Sequence, residues 1–179
     1  MSRPRADPSR PAVAASDAML FPELTGARFS DCGLYRYTLW RTWDATRPPA
    51  TFLMLNPSTA DQVANDPTVE RCQRRARAMG YGGLRVVNIF ALRSTDPASL
   101  YTVADPVGPD NDAAILEMVE GAGVAICAWG THGALNGRDT AVRTLLRNAG
   151  VVPHCLGTTA NGHRRHPLYV PYTQAAVPF

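Results

Sequence analysis

The apolar run at residues 50–55, ATFLML, gives way at once to Asn56, Pro57, Ser58 and Thr59, and then to Asp61, Asn65, Asp66, Thr68 and Arg71. Proline fixes φ and offers no N–H, so it stiffens a turn without adding a donor. Asparagine brings both a donor and an acceptor, and no charge. Such a platform suits a positioned water or a polar ligand. Three more clusters of this kind follow apolar runs. Asn88 lies within LRVVNIFAL, which leads to Arg93, Thr95 and Asp96. Trp129, Gly130, Thr131 and His132 close the run GVAICAWG, and Thr158, Thr159, Arg165 and His166 come after VPHCLG. Neutral amides, hydroxyls and a histidine are the groups that orient water and stabilise a leaving group. Each also has a plainer use: Asn56 can close a turn, Asn88 can satisfy backbone groups and Asp96 can cap a helix. Their recurrence at four strand ends favours one shared cleft, because parallel sheets bind ligands beyond the carboxyl ends of their strands.

The elements that would hold these groups alternate along the chain. Residues 29–43, FSDCGLYRYTLWRTW, read as an antiparallel strand or hairpin. The runs 50–55, 84–92 and 123–130 read as buried strands and 152–157 as a short fourth strand. Helices are expected at 67–79, 110–121 and 136–149, the first with Asp66 as N-cap and Pro67 at its first position. Arg71, Arg74 and Arg75 share one face of that helix, which reads as a solvated face. Strands alternating with helices predict an α/β fold: a three-layer sandwich on a mostly parallel sheet of about four strands, preceded by the N-terminal antiparallel hairpin. Residues 1–20 read as a disordered tail and 21–179 as one domain.

Composition narrows the classes. Of 179 residues 45% are hydrophobic, enough for a globular core. No apolar run nears the roughly 18–20 residues of a membrane span, and the N-terminus lacks a signal-peptide core, so a cytoplasmic protein is expected. All 18 basic residues are arginine, and the net charge of +3 permits a phosphate-bearing partner without demanding one. Cys32, Cys72, Cys127 and Cys155 are widely spaced and read as reduced thiols. Asp61, Asp66, Asp96, Asp110, Asp112, His132, His163 and His166 form no recognised metal spacing, so neither a metal nor another cofactor is expected.

The string LNPSTAD…NDPT…VVNIFALRSTDP…DPVGPDND…AWG…RHPLYV resembles a bacterial family of unknown function, over roughly residues 30–171. More distantly, the order of motifs is similar to the uracil-DNA glycosylase superfamily. LNPS stands where that superfamily has its water-positioning motif, VVN where it has a base-reading asparagine, CAWG at its third strand end and RHPLY at its final His-Pro motif. The sequence departs from the pattern at Ser58, in place of a glycine, and at Leu168, in place of a serine. The resemblance implies a uracil-DNA-glycosylase-like fold and hydrolysis of an N-glycosidic bond. It makes Asn56 the water-positioning residue and His166 the stabiliser of the leaving base. Pro57, Ser58, Thr59, Asn88, Arg93, Asp96, Trp129, Gly130, His132 and Arg165 are the expected substrate contacts, with Arg71, Ser58 and Thr59 toward phosphate. The expected partner is a base, a nucleotide or a nucleic acid, with no membrane. A non-catalytic nucleotide-binding module and a metal-dependent phosphoesterase or nucleotide hydrolase stand as alternatives.

Overall fold

The computed structural model describes residues 24–179; the expected tail at 1–20 lies outside them. The strands are β1 (Leu24–Phe29), β2 (Arg36–Thr42), β3 (Pro49–Met54), β4 (Gly83–Asn88), β5 (Val124–Cys127), β6 (Pro153–Cys155) and β7 (Val177–Pro178). The helices are α1 (Pro67–Ala78), α2 (Asn111–Val119) and α3 (Arg138–Asn148), with short 3-10 turns at Pro97–Tyr101, Thr131–Gly137 and Pro167–Tyr169.

All seven strands form one sheet in the order β1-β2-β4-β3-β5-β6-β7. This corrects the expectation of a mostly parallel sheet of about four strands. The four expected strands do form a parallel centre, β4-β3-β5-β6. Antiparallel strands extend it on both sides: β2 joins β4, β1 joins β2, and β7 joins β6. The hairpin is therefore part of the central sheet. Leu39, Trp40 and Arg41 lie opposite Val86, Arg85 and Leu84, so the outer edge of β4 is paired instead of left open. Residues Pro167–Tyr169 form a 3-10 turn, with Pro167 at its first position.

Alternation along the central strands builds two cores. Phe52 and Val86 pack beneath α1 with Val69, Cys72 and Ala76. Leu53 and Val87 face the other way, toward Ile115 and Met118 of α2 and Val142 and Leu146 of α3. Successive strand side chains point to opposite faces, so both faces must be covered. Each fully buried Val, Leu, Ile or Phe among these contributes about 1.5–3 kcal/mol. The Asp66 carboxylate accepts from the Val69 N–H at 2.8 Å, the expected N-cap of α1.

The crossovers place a site. From β3 the chain runs through α1 to β4 on one side; from β5 it runs through α3 to β6 on the other. Adjacent strands whose connections leave in opposite directions open a crevice between their carboxyl ends. Here those strands are β3 and β5. Among the described residues no helix is long and apolar enough to cross a membrane.

Candidate functional site

A cavity of about 500 Å³ occupies that crevice. Asn56 and Ser58 come to it from the loop after β3, and Trp129, Gly130, Thr131 and His132 from the loop after β5. His166 and Tyr169 come from the C-terminal segment, and Asp66, Thr68 and Val69 from the start of α1. Ser94 and Thr95 close it from the loop after β4. The volume falls within the range of small-ligand sites.

Asn56 explains the abrupt polarity after β3. Its Nδ2 donates to Ser94 O at 2.8 Å, with longer contacts to Pro57 O at 3.2 Å and Leu92 O at 3.4 Å. The Ser94 N–H in turn donates to Pro57 O at 2.9 Å. The amide staples the loop after β3 to the loop after β4. Its hydrogens are thereby spent, and no hydrogen bond from the described residues reaches Oδ1.

His166 is set in the opposite sense. Its Nδ1 accepts from the Leu168 N–H at 3.3 Å, so the neutral ring carries its proton on Nε2. Burial depresses its pKa below the usual 6.5, and the nearby Asp66 charge opposes that only in part. The ring lies 5.9 Å from that of Tyr169, which is 79% exposed and stands at the cavity rim.

Two arginines hold the segment that carries His166. Arg71 donates through Nε to Pro167 O and through Nη2 to Val170 O, both at 2.8 Å. Arg75 reaches the carbonyls of Val170, Pro171, Tyr172 and Gln174. Arg75 is 2% exposed, so the expected solvated face of α1 is in fact an anchoring face. Only Arg74 keeps to the surface there, paired with Glu70 at 2.8 Å. Arg71 does not line the cavity, and its guanidinium is turned to these carbonyls and to the Tyr172 ring 4.5 Å away.

The other expected contacts divide. Gly130 reaches the cavity at φ 71°, ψ −161°, a conformation that suits glycine, and its N–H donates to Arg164 O. Trp129 is 3% exposed beside it. The His132 Nδ1 lies 3.0 Å from the Tyr101 hydroxyl. Thr59 and Arg93 line a neighbouring groove that shares Ser58, Ser94 and Thr95 with the cavity. Arg93 donates to Gly33 O and stacks on Phe29. Pro57, Asp96 and Arg165 are not on the cavity wall. Asp96 caps the 3-10 turn at Pro97–Tyr101 by accepting from the Ala98 N–H. Asn88 is buried one layer behind the wall, and its Oδ1 accepts from Arg36 Nη2 at 3.3 Å.

Arg36 was not anticipated. It lines the cavity, yet is only 2% exposed. The cause is a bulge. Arg28 pairs with Thr38 and Phe29 with Arg36, which leaves Tyr37 as an extra residue in β2. Leu39 packs beneath α1, whereas Tyr37 turns to Ala114 of α2. Strict alternation from Leu39 would send Arg36 to the α2 face; the extra residue brings it instead to the cavity wall it shares with Asp66 and Val69.

Three comparisons with known proteins add little chemistry. A family model described as a protein of unknown function, DUF1643, matches residues 36–168. No curated protein and no solved structure matches the chain. The likeness to uracil-DNA glycosylases therefore rests on the motifs quoted above.

Proposed function

The chain belongs to the DUF1643 family, and from the cleft that its own strand-end residues line we propose a glycosylase-like hydrolase that cleaves the N-glycosidic bond of a base, nucleotide or nucleic acid. One observation carries the reading: His166 and Asn56 line one cavity, and each keeps a neutral group, Nε2–H as donor and Oδ1 as acceptor, left over after its partner atom is tied to the backbone.

Breaking the bond between C1′ and the base nitrogen sends the electron pair onto the base. A donor to a base oxygen stabilises that charge as it develops, and such a donor is worth about 3 kcal/mol. His166 is suited to this because its proton stays on Nε2. The attacking water must be held on the opposite side of the sugar. Asn56 Oδ1 accepts from that water without repelling a negatively charged substrate. The water oxygen bonds to C1′, and its proton passes to Asp66, whose Oδ1 is engaged by the Val69 N–H and whose Oδ2 receives no hydrogen bond from the described residues. The departing base anion takes up a proton as Asp66 releases its own to solvent, so the products are a free base and a sugar bearing a hydroxyl at C1′. Tyr169, exposed at the rim, offers a face on which a base can stack.

Among the described residues no three His, Cys, Asp or Glu side chains gather as a metal set. The test is base release, followed by mass spectrometry, from nucleosides, nucleotides and oligonucleotides with normal and modified bases. Asn56→Ala, His166→Ala and Asp66→Asn each lower turnover by about 10² or more while circular dichroism stays native. EDTA leaves turnover unchanged. Full activity in the Asn56 and His166 variants, or its loss with chelator, overturns the reading. Ligand binding without base release favours the non-catalytic module.

A further inference from the structure

Among the described residues no ion pair neutralises the buried charge of Arg36. Its Nη1 donates to Ala60 O at 2.7 Å and its Nη2 to Asn88 Oδ1 at 3.3 Å, both uncharged acceptors. Its Nε–H is buried and has no hydrogen-bond partner among the described residues. Among the described residues it forms no ion pair. Burial lowers its pKa to about 10, with Asp66 opposing the shift and Arg93 and Arg41 adding to it. The guanidinium is therefore still charged at neutral pH. A buried, hydrogen-bonded charge without a counter-ion is costly, and removing that cost needs an anion at close range.

We propose that Arg36 is the floor of an anion subsite within the cavity, and that the ligand presents a terminal phosphate to it. The inference rests on the reading of this cavity as the ligand cleft, but not on the glycosidic step. Nε–H is unclaimed, and each Nη carries a further hydrogen, the fork that phosphate oxygens accept. The hydroxyls of Ser58, Thr68 and Thr95 line the same cavity and make no hydrogen bond with the described residues. The spare hydroxyls of Ser58 and Thr95, in the same cavity lining as the guanidinium, match the several acceptor oxygens of a phosphate better than the two of a carboxylate. The depth of Arg36 selects a chain end: a terminal phosphate can enter, whereas a phosphodiester within a continuous strand stays at the mouth. The Asp66 charge disfavours an anion at the start of α1, so the phosphate sits on the side of Ser58 and Thr95.

The full chain is titrated by calorimetry and thermal melting with inorganic phosphate, the four common nucleosides, their 5′-monophosphates, and single-stranded oligonucleotides with and without a 5′-phosphate. Inorganic phosphate raises the melting temperature. At least one monophosphate binds about tenfold or more tightly than its nucleoside, as expected of a charge-assisted bidentate contact. That ratio falls to about one in Arg36→Met and is partly kept in Arg36→Lys. A 5′-phosphate strengthens oligonucleotide binding in the same way if a strand end is the source. Equal binding of nucleosides and monophosphates by the native chain overturns the proposal, and so does a preference that survives in a folded Arg36→Met. If that variant does not fold, the native ratio and Arg36→Lys decide. Base release is recorded in parallel. A phosphate preference without base release supports the subsite and removes the glycosidic step; base release without a phosphate preference does the reverse.

Discussion

Replacing Arg75 by Met tests whether α1 truly presents the His166 segment. The guanidinium donates to Gln174 O at 2.8 Å, Pro171 O at 2.7 Å, Val170 O at 3.1 Å and Tyr172 O at 3.4 Å. A hydrogen bond from a charged donor is worth about 1.5–3 kcal/mol net. Not all of this is lost. Pro171, Tyr172 and Gln174 are exposed residues, so water can replace the donor at their carbonyls. Val170 is buried, but its carbonyl keeps the bond from Arg71 Nη2. Met preserves most of the buried stem, and removing a desolvated charge returns some free energy. The net cost works out at about 2–3 kcal/mol. For a domain of this size that is a fall in melting temperature of about 5–10 °C. The loss is local before it is global: amide hydrogen exchange should quicken over 164–174 while the central strands stay protected. Base release or ligand affinity should fall about tenfold or more, because His166 is no longer held in place. Circular dichroism melting and exchange mass spectrometry are the assays. A melting temperature within about 2 °C of native, with unchanged exchange over 164–174, would refute the anchoring argument.

Asn56→Asp should be more destabilising than Asn56→Ala, because a carboxylate would face the carbonyls of Pro57, Leu92 and Ser94; denaturant unfolding of both variants measures the difference, about 1–2 kcal/mol. His166 has a folded pKa below its ordinary 6.5, so the unfolded chain binds its proton more readily. Its contribution is present above pH 6.5 and is lost as pH falls through the lower folded value. The melting temperature of His166→Gln should accordingly vary less with pH than that of the native chain across that acidic window. Among the four thiols, burial raises the pKa of Cys72 and Cys127, Cys155 is buried, and the exposed Cys32 is lowered first by the Ser30 hydroxyl. A thiol reagent should titrate one cysteine in the native state and four after denaturation; two or more native thiols would contradict the packing.

The alternation of apolar runs and helical stripes was sufficient to locate β3, β4, β5, β6 and all three helices, because burial on both faces of a parallel strand leaves a continuous apolar signal. The cap at Asp66 was equally local: an Asp-Pro-Thr start fixes its own hydrogen bond. The polar clusters at the strand ends also marked the cleft, where Asn56, Ser58, Trp129, Gly130, His132 and His166 meet. What remained hidden depended on contacts between distant segments. The hairpin joined the main sheet because β4 had a free edge, which nothing within residues 29–43 encodes. Arg71 and Arg75 looked solvated because the carbonyls they bind lie almost a hundred residues away. Asn88 looked like a base reader, but a side chain from β2 stands between it and the cavity. Arg36 itself depended on one extra residue opposite Phe29. Periodicity reports which face a side chain takes only while the ladder keeps register, and a bulge is decided by how two strands pair, so only the tertiary structure could turn that guanidinium toward the cleft.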